Sequence, residues 1–124
     1  MIKKLSIVLV IVVGISVALL VPQSVAAKSK IKAAGSQSDG FRWEPSSRSI
    51  AKGDTIVWSN PTGKNHTVSA YGGNWSKNTQ IGPGENTKKR FKKGGTFKFR
   101  CLVRGHSTLS DGECIGMCGQ VVVR

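Results

Sequence analysis

The stretch Thr96–Val123, TFKFRCLVRGHSTLSDGECIGMCGQVVV, decides how this chain is read. Its opening alternates: Phe97, Phe99 and Cys101 share one face of an extended segment while Lys98 and Arg100 share the other. That is a strand with its apolar face turned inward and a cysteine closing the inward row. Its end, QVVV, reads as a second strand. Between them lie His106, Cys114, Met117 and Cys118. Three cysteines allow one pair and one left over, in three ways, and the pair nearest in sequence leaves Cys101 free. An unpaired inward cysteine is by default a small packed hydrophobe.

Outward from this stretch the pattern stays β. DTIVWSN (Asp54–Asn60), HTVSAY (His66–Tyr71) and KKRF (Lys88–Phe91) are short and rich in β-branched, aromatic or alternating residues. They are divided by turn clusters such as NPTGKN, YGGN and IGPGEN,. No window outside the N-terminal segment carries an apolar period of helical length. Short strands at this spacing predict an all-β, antiparallel sandwich or Greek-key barrel. KIKAAGSQSDGFRWEP adds one or two earlier strands, with Lys28–Gly40 a linker or a first strand and residues 41–124 the domain proper. Phe41, Trp43, Trp58, Phe91, Phe97 and Phe99 are the expected core, and Trp75 is expected to pack from a loop.

Met1–Ala27 begins with Lys3 and Lys4, runs uncharged and apolar from Leu5 to Val21, and ends in PQSVAA. This is the layout of a secretory signal peptide, with an uncleaved membrane anchor as the rival reading. Either way the domain is expected in an extracytoplasmic, oxidising space. Setting Lys3 and Lys4 aside leaves 17 basic against 6 acidic residues, a net charge of +11. Such a field suits anionic partners, whether an acidic protein face, lipid headgroups or cell-wall polymers. Nucleic acid is not expected, because no recognition motif accompanies the KKRFKK cluster at Lys88–Lys93.

After the N-terminal segment the chain holds a strand-end cysteine (Cys101), two histidines (His66, His106) and one methionine (Met117). Two imidazoles and a thiolate in a plane, with a weak thioether on the axis, form a blue-copper ligand set. The segments FRWEPSSRSIAKGDTIVWSN, HTV, GTFKFRC and GMCGQVVV, in that order, resemble the plastocyanin/azurin family of cupredoxins over Phe41–Arg124. The resemblance implies a Greek-key β-sandwich and one type 1 copper held by His66, Cys101, His106 and Met117. It also implies a monomeric electron carrier, not an enzyme, that exchanges single electrons with redox proteins through the ring edge of His106. Leu102, Val103, Leu109 and Ile115 would form an apolar rim there, with Arg104 and Lys64 steering an acidic partner.

Three features depart from the family pattern. Four residues separate Cys101 from His106, a spacing similar to azurin, and ten separate His106 from Met117, more than in plastocyanin or azurin, which makes Met117 the least secure ligand. A Cys114–Cys118 disulfide would pin that long loop. Thr67 stands where these relatives carry asparagine, so the bridging role of that residue is either missing or taken by the hydroxyl. Two rival readings remain at this point: a copper-buffering module without an electron-carrier role, and a structural zinc site of Cys101, His106, Cys114 and Cys118. A multi-copper oxidase or nitrite reductase needs more histidines than two.

Overall fold

A computed structural model describes residues 11–16 and 25–124. The apolar run expected as signal or anchor falls largely outside the described residues. Among the described residues no helix is long and apolar enough to cross a membrane.

The chain forms eleven strands in order: β1 (Lys28–Ser36), β2 (Gly40–Glu44), β3 (Ser47–Ile50), β4 (Thr55–Ser59), β5 (His66–Tyr71), β6 (Asn78–Ile81), β7 (Asn86–Arg90), β8 (Gly95–Arg100), β9 (Ser107–Ser110), β10 (Glu113–Gly116) and β11 (Cys118–Val123). One sheet has the order β2-β1-β4-β7 and the other β3-β11-β8-β5-β6, while β9 and β10 form a separate two-stranded ribbon. The chain crosses between sheets after β2, β3, β4, β6 and β7, giving the expected Greek-key sandwich,. It is not wholly antiparallel: β1 runs parallel to β4, and β3 parallel to β11. Strands far apart in sequence meet after the chain has crossed over, so no tight hairpin forces them to oppose. Residues Lys28–Ser36, open beforehand between linker and strand, form β1, which lies between β2 and β4.

Alternation explains the core. In β8 Phe97 and Phe99 are buried and Lys98 is exposed, and Cys101, the next inward position, is fully buried. Phe99 sits at the centre, its ring 5.8 Å from Trp43 and 5.4 Å from Trp58 in edge contacts,. Trp75 covers the sandwich edge, stacked on Trp58 and 5.5 Å from Phe91. Phe41 departs from the expectation of a core residue. It is only half-buried, and its ring faces two imidazoles, those of His66 and His106, at 4.7 and 4.8 Å.

The strand directions give the sandwich two ends. β8 starts at Gly95, beside Val123, and finishes at Arg100, beside Cys118. Thr55, Lys28 and Arg90 sit together at the Gly95 end, where β4 meets β1 and β7. His66 begins β5 at the opposite end, next to the finish of β8.

Candidate metal centre

Register brings the first two donors together. β5 and β8 pair antiparallel up to Ser69 opposite Arg100, so the residues just beyond, His66–Thr67 and Cys101–Leu102, continue side by side. Two hydrogen bonds hold this junction: the Thr67 N–H donates to Cys101 Sγ at 3.3 Å, and the Leu102 N–H donates to Thr67 Oγ1 at 2.7 Å. The threonine hydroxyl therefore bridges the histidine strand to the cysteine strand, which answers the question raised by its place in the sequence.

His106 returns through a turn closed by its own N–H donating to the Val103 carbonyl at 2.9 Å. The Ser107 hydroxyl caps the same loop by donating to the Cys101 carbonyl. Cys101 Sγ then lies 3.8 Å from His66 Nδ1 and 3.5 Å from His106 Nδ1, and the two nitrogens are 3.2 Å apart. The point equidistant from these three atoms in their plane is about 2.0 Å from each, within the usual metal–imidazole range and slightly inside that of metal–thiolate bonds,. The triangle is the size of one metal ion.

Met117 reaches the same place by a route the sequence hides. The ten residues after His106 fold into the β9–β10 hairpin, with Asp111 (φ 51°) and Gly112 (φ 78°) in its two-residue turn,. The hairpin closes where it opened, so the Met117 N–H donates to the His106 carbonyl at 2.8 Å and the Cys101 N–H donates to the Met117 carbonyl at 3.0 Å. Met117 is fully buried and its backbone is bonded directly to two of the three other candidate ligands. Gly116 permits this approach: its φ is +99°, and a Cβ there would press on the His106 carbonyl,. A Cys114–Cys118 disulfide brackets Met117. Cys101 is the free cysteine.

The disulfide also removes the zinc alternative, since Cys114 and Cys118 no longer offer thiolates,. What converges instead is one free cysteine sulfur and two imidazole nitrogens, with Phe41 against both imidazole rings and only His106 partly exposed.

Hydrogen bonds fix which nitrogen of His66 is bare. Asn60, buried, donates through Nδ2 to the carbonyls of Lys64 (2.7 Å) and Ile81 (3.0 Å), so its Oδ1 must accept. It accepts from the Thr62 N–H at 3.0 Å and from the Thr62 hydroxyl at 2.6 Å. With its proton committed, Thr62 Oγ1 accepts from His66 Nε2–H at 2.8 Å,. His66 Nδ1 is left unprotonated and faces Cys101 and His106, the tautomer a metal requires. Electrostatics agree. Burial, reinforced by a neighbouring charge on His106, lowers the His66 pKa to about 4, and burial lowers that of His106, so both rings are neutral at neutral pH,. Asn60 and Thr62 were not picked out from sequence, although Asn60-Pro61 at the head of a turn is a readable signal for a side chain that bonds two residues ahead.

Residues 29–124 match the family described as copper binding proteins, plastocyanin/azurin family. No curated protein sequence matches the chain. Among solved structures, a reduced amicyanin variant is 19% identical with a TM-score of 0.61, covering 78% of this chain and 82% of that one. The novel purple cupredoxin from Nitrosopumilus maritimus is 17% identical with a TM-score of 0.57, covering 77% of this chain and 99% of that one. Pseudoazurin from Methylobacterium extorquens AM1 is 22% identical with a TM-score of 0.57, covering 77% and 74%. At these identities the likeness shows the fold alone, whereas the family match spans nearly all of the described strands and agrees with a soft sulfur and two imidazoles as donors for copper,. The chain belongs to the plastocyanin/azurin family of copper binding proteins.

Proposed function

We propose that the protein is an extracytoplasmic one-electron carrier and not an enzyme, with a single copper held by His66, Cys101, His106 and Met117. The observation that carries this reading is the donor triangle of 3.2, 3.5 and 3.8 Å, sized for one ion, with His66 and Cys101 held by further hydrogen bonds. Copper bound there supplies exchange of one electron between Cu(II) and Cu(I). The chain's own part is to keep the donors still. Thr62 and Asn60 orient His66, the Thr67 N–H holds the Cys101 sulfur, and the disulfide and ribbon hold Met117. Donors that cannot move give both oxidation states nearly the same surroundings, so little has to rearrange when the electron passes.

Burial supports a carrier over a catalyst. His66, Cys101 and Met117 are fully buried, and His106 alone of the four is partly exposed. A substrate finds no open approach to the donors, whereas an electron can leave through the His106 ring. Leu102, 47% exposed, flanks this exit. Leu109 and Ile115 are exposed as well, but they occupy alternate faces of the β9–β10 ribbon, and Val103 packs on the core, so the four do not form one flat rim,. Arg104 and Lys64 share this end with Glu85, Asp111 and Glu113, a mixed charge that suits weak and short-lived contact with a redox partner,. The disulfide supports an oxidising compartment,.

Titration of the full chain with Cu(II) should saturate at one equivalent and develop an intense visible thiolate-to-copper band, absent in Cys101→Ser while the far-ultraviolet dichroism of the fold persists. Reversible one-electron voltammetry with slow copper exchange distinguishes a carrier from a copper buffer. No band on titration would sink the proposal.

A further inference from the structure

The end of the sandwich away from the donors is a cluster of cations. Lys28 and Arg90 pair in register with Thr55, Lys92 and Lys93 form the crossing from β7 to β8, and Lys52 packs beside Gly94. All five are exposed. Among the described residues the ion pairs are Lys32 and Arg42 with Glu44, so none of the five is neutralised. The one side-chain carboxylate here, Asp54, is occupied by the N–H groups of Ala27 and Ala51. The acidic residues gather elsewhere: Asp39 in the β1–β2 turn, Glu85 beside Asn65, and Asp111 and Glu113 on the ribbon, all towards the donor end. Charge is therefore segregated along the axis of β8, whose six residues set the two ends about 20 Å apart,.

A second observation says what covers this end. The chain enters the fold here: the Ala27 N–H donates to Asp54 Oδ1 and the Ala27 carbonyl accepts from the Thr55 N–H, both at 2.9 Å. The apolar run Leu5–Val21 precedes this point by so few residues that, even fully extended, they span only about 20 Å,. A bilayer holding that run keeps the cationic end within reach of its headgroups, where weak attractions to individual lysines act at high effective concentration. Beside the cluster is a cleft of about 450 Å³, floored by Trp75, Phe91 and Phe97 and rimmed by Arg90, Lys92 and Lys93.

We infer that this end of the sandwich, built on Lys28, Lys52, Arg90, Lys92 and Lys93, is a docking surface for a bilayer bearing anionic phospholipid headgroups. On the uncleaved-anchor reading of the N-terminal segment, which this surface takes, the run Leu5–Val21 enters the same bilayer,. Phosphates contact the five cations, the domain stands upright on the membrane, and the His106 end points away into the aqueous space. The surface does not depend on the metal, so it stands or falls separately from the electron-carrier reading.

The test uses the copper-loaded full chain on vesicles of phosphatidylglycerol mixed with phosphatidylcholine, against vesicles of phosphatidylcholine alone. Lysines are labelled with an amine-acylating reagent and their rates read by mass spectrometry. On the anionic vesicles Lys52, Lys92 and Lys93 should react about fivefold more slowly than on the neutral ones, with Lys64 at the donor end unchanged. High salt should remove the protection. Lys92→Glu/Lys93→Glu, on an exposed crossing that leaves the copper band intact, should remove it at Lys52. Equal rates on both vesicles, protection of Lys64 instead, or protection that survives salt and the double variant would each overturn the inference. Equal protection by soluble poly(glycerol phosphate) would overturn it too, assigning the surface to a cell-wall polymer.

Discussion

The two ends of this sandwich are built on opposite terms from the same strands. At the donor end four polar residues are committed: Asn60, Thr62, Thr67 and Ser107 each bond to a candidate ligand or to the residue that orients it. At the cationic end five long side chains stand in solvent without ion-pair partners. The contrast separates two kinds of specificity. Holding a metal needs fixed distances, so the fold surrounds the donors with short directional bonds. Holding a charged surface needs only field, which falls off slowly and tolerates flexible side chains. Substitutions at the two ends should therefore differ in kind as well as in size.

The largest effect should come from the piece that joins the ends. Phe99 is fully buried between Trp43 and Trp58, two residues before Cys101. Phe99→Ala should cost about 3–5 kcal/mol in chemical denaturation and weaken copper binding with it, because the cavity opens beneath the donors. A loss of stability with copper affinity unchanged would show that the donor end is held independently of the core. Next is the disulfide. Replacing Cys114 and Cys118 with serine should cost about 2 kcal/mol for so short a loop,. It should also raise the rate of copper release, measured with a competing chelator, since the freed segment carries Met117. Labelling at Lys92 and Lys93 should not change.

How much of each end was legible in the sequence follows from the same contrast. Strand alternation gave the inward row of Phe97, Phe99 and Cys101 directly, because side chains in a strand repeat every two residues. β3 and β6 were not anticipated: SRSI and NTQI are four residues each with a single buried side chain, too short for the pattern to show. The ribbon was missed although SDGE holds a recognised two-residue turn signal, because its strands bury almost nothing and lack an apolar face,. That omission made the ten-residue gap before Met117 look like slack, whereas the hairpin reduces it to a single backbone hydrogen bond. The roles of Asn60 and Thr62 depend on which protons are already committed, a property of three-dimensional contacts that spacing cannot express. The cationic end was visible as a charge cluster, but its place opposite the donors needed the strand directions.

A smaller effect, confined to the donor end, should follow from Thr62→Val, which keeps the shape of the side chain and removes the hydroxyl. His66 Nε2–H and Asn60 Oδ1 then lose a shared partner. Copper affinity should fall about tenfold in a competition titration, with a shift of the visible band, and Thr62→Ser should restore both. An unchanged band would mean that Phe41 and the backbone alone orient the ring.

The smallest effect on the fold sharpens the comparison most. Lys92→Glu alters an exposed side chain on the crossing from β7 to β8, with no hydrogen bond or ion pair to lose among the described residues. Its stability should stay within about 0.5 kcal/mol of the parent by denaturation, and any change should be towards higher stability, since it relieves repulsion among Lys52, Arg90 and Lys93. Salt should act in the same direction on the parent, screening that repulsion and raising its melting temperature more than that of Lys92→Glu. A parent whose melting temperature ignores salt would show that the five cations are too far apart to feel one another. The positive end would then be a set of separate charges instead of one field.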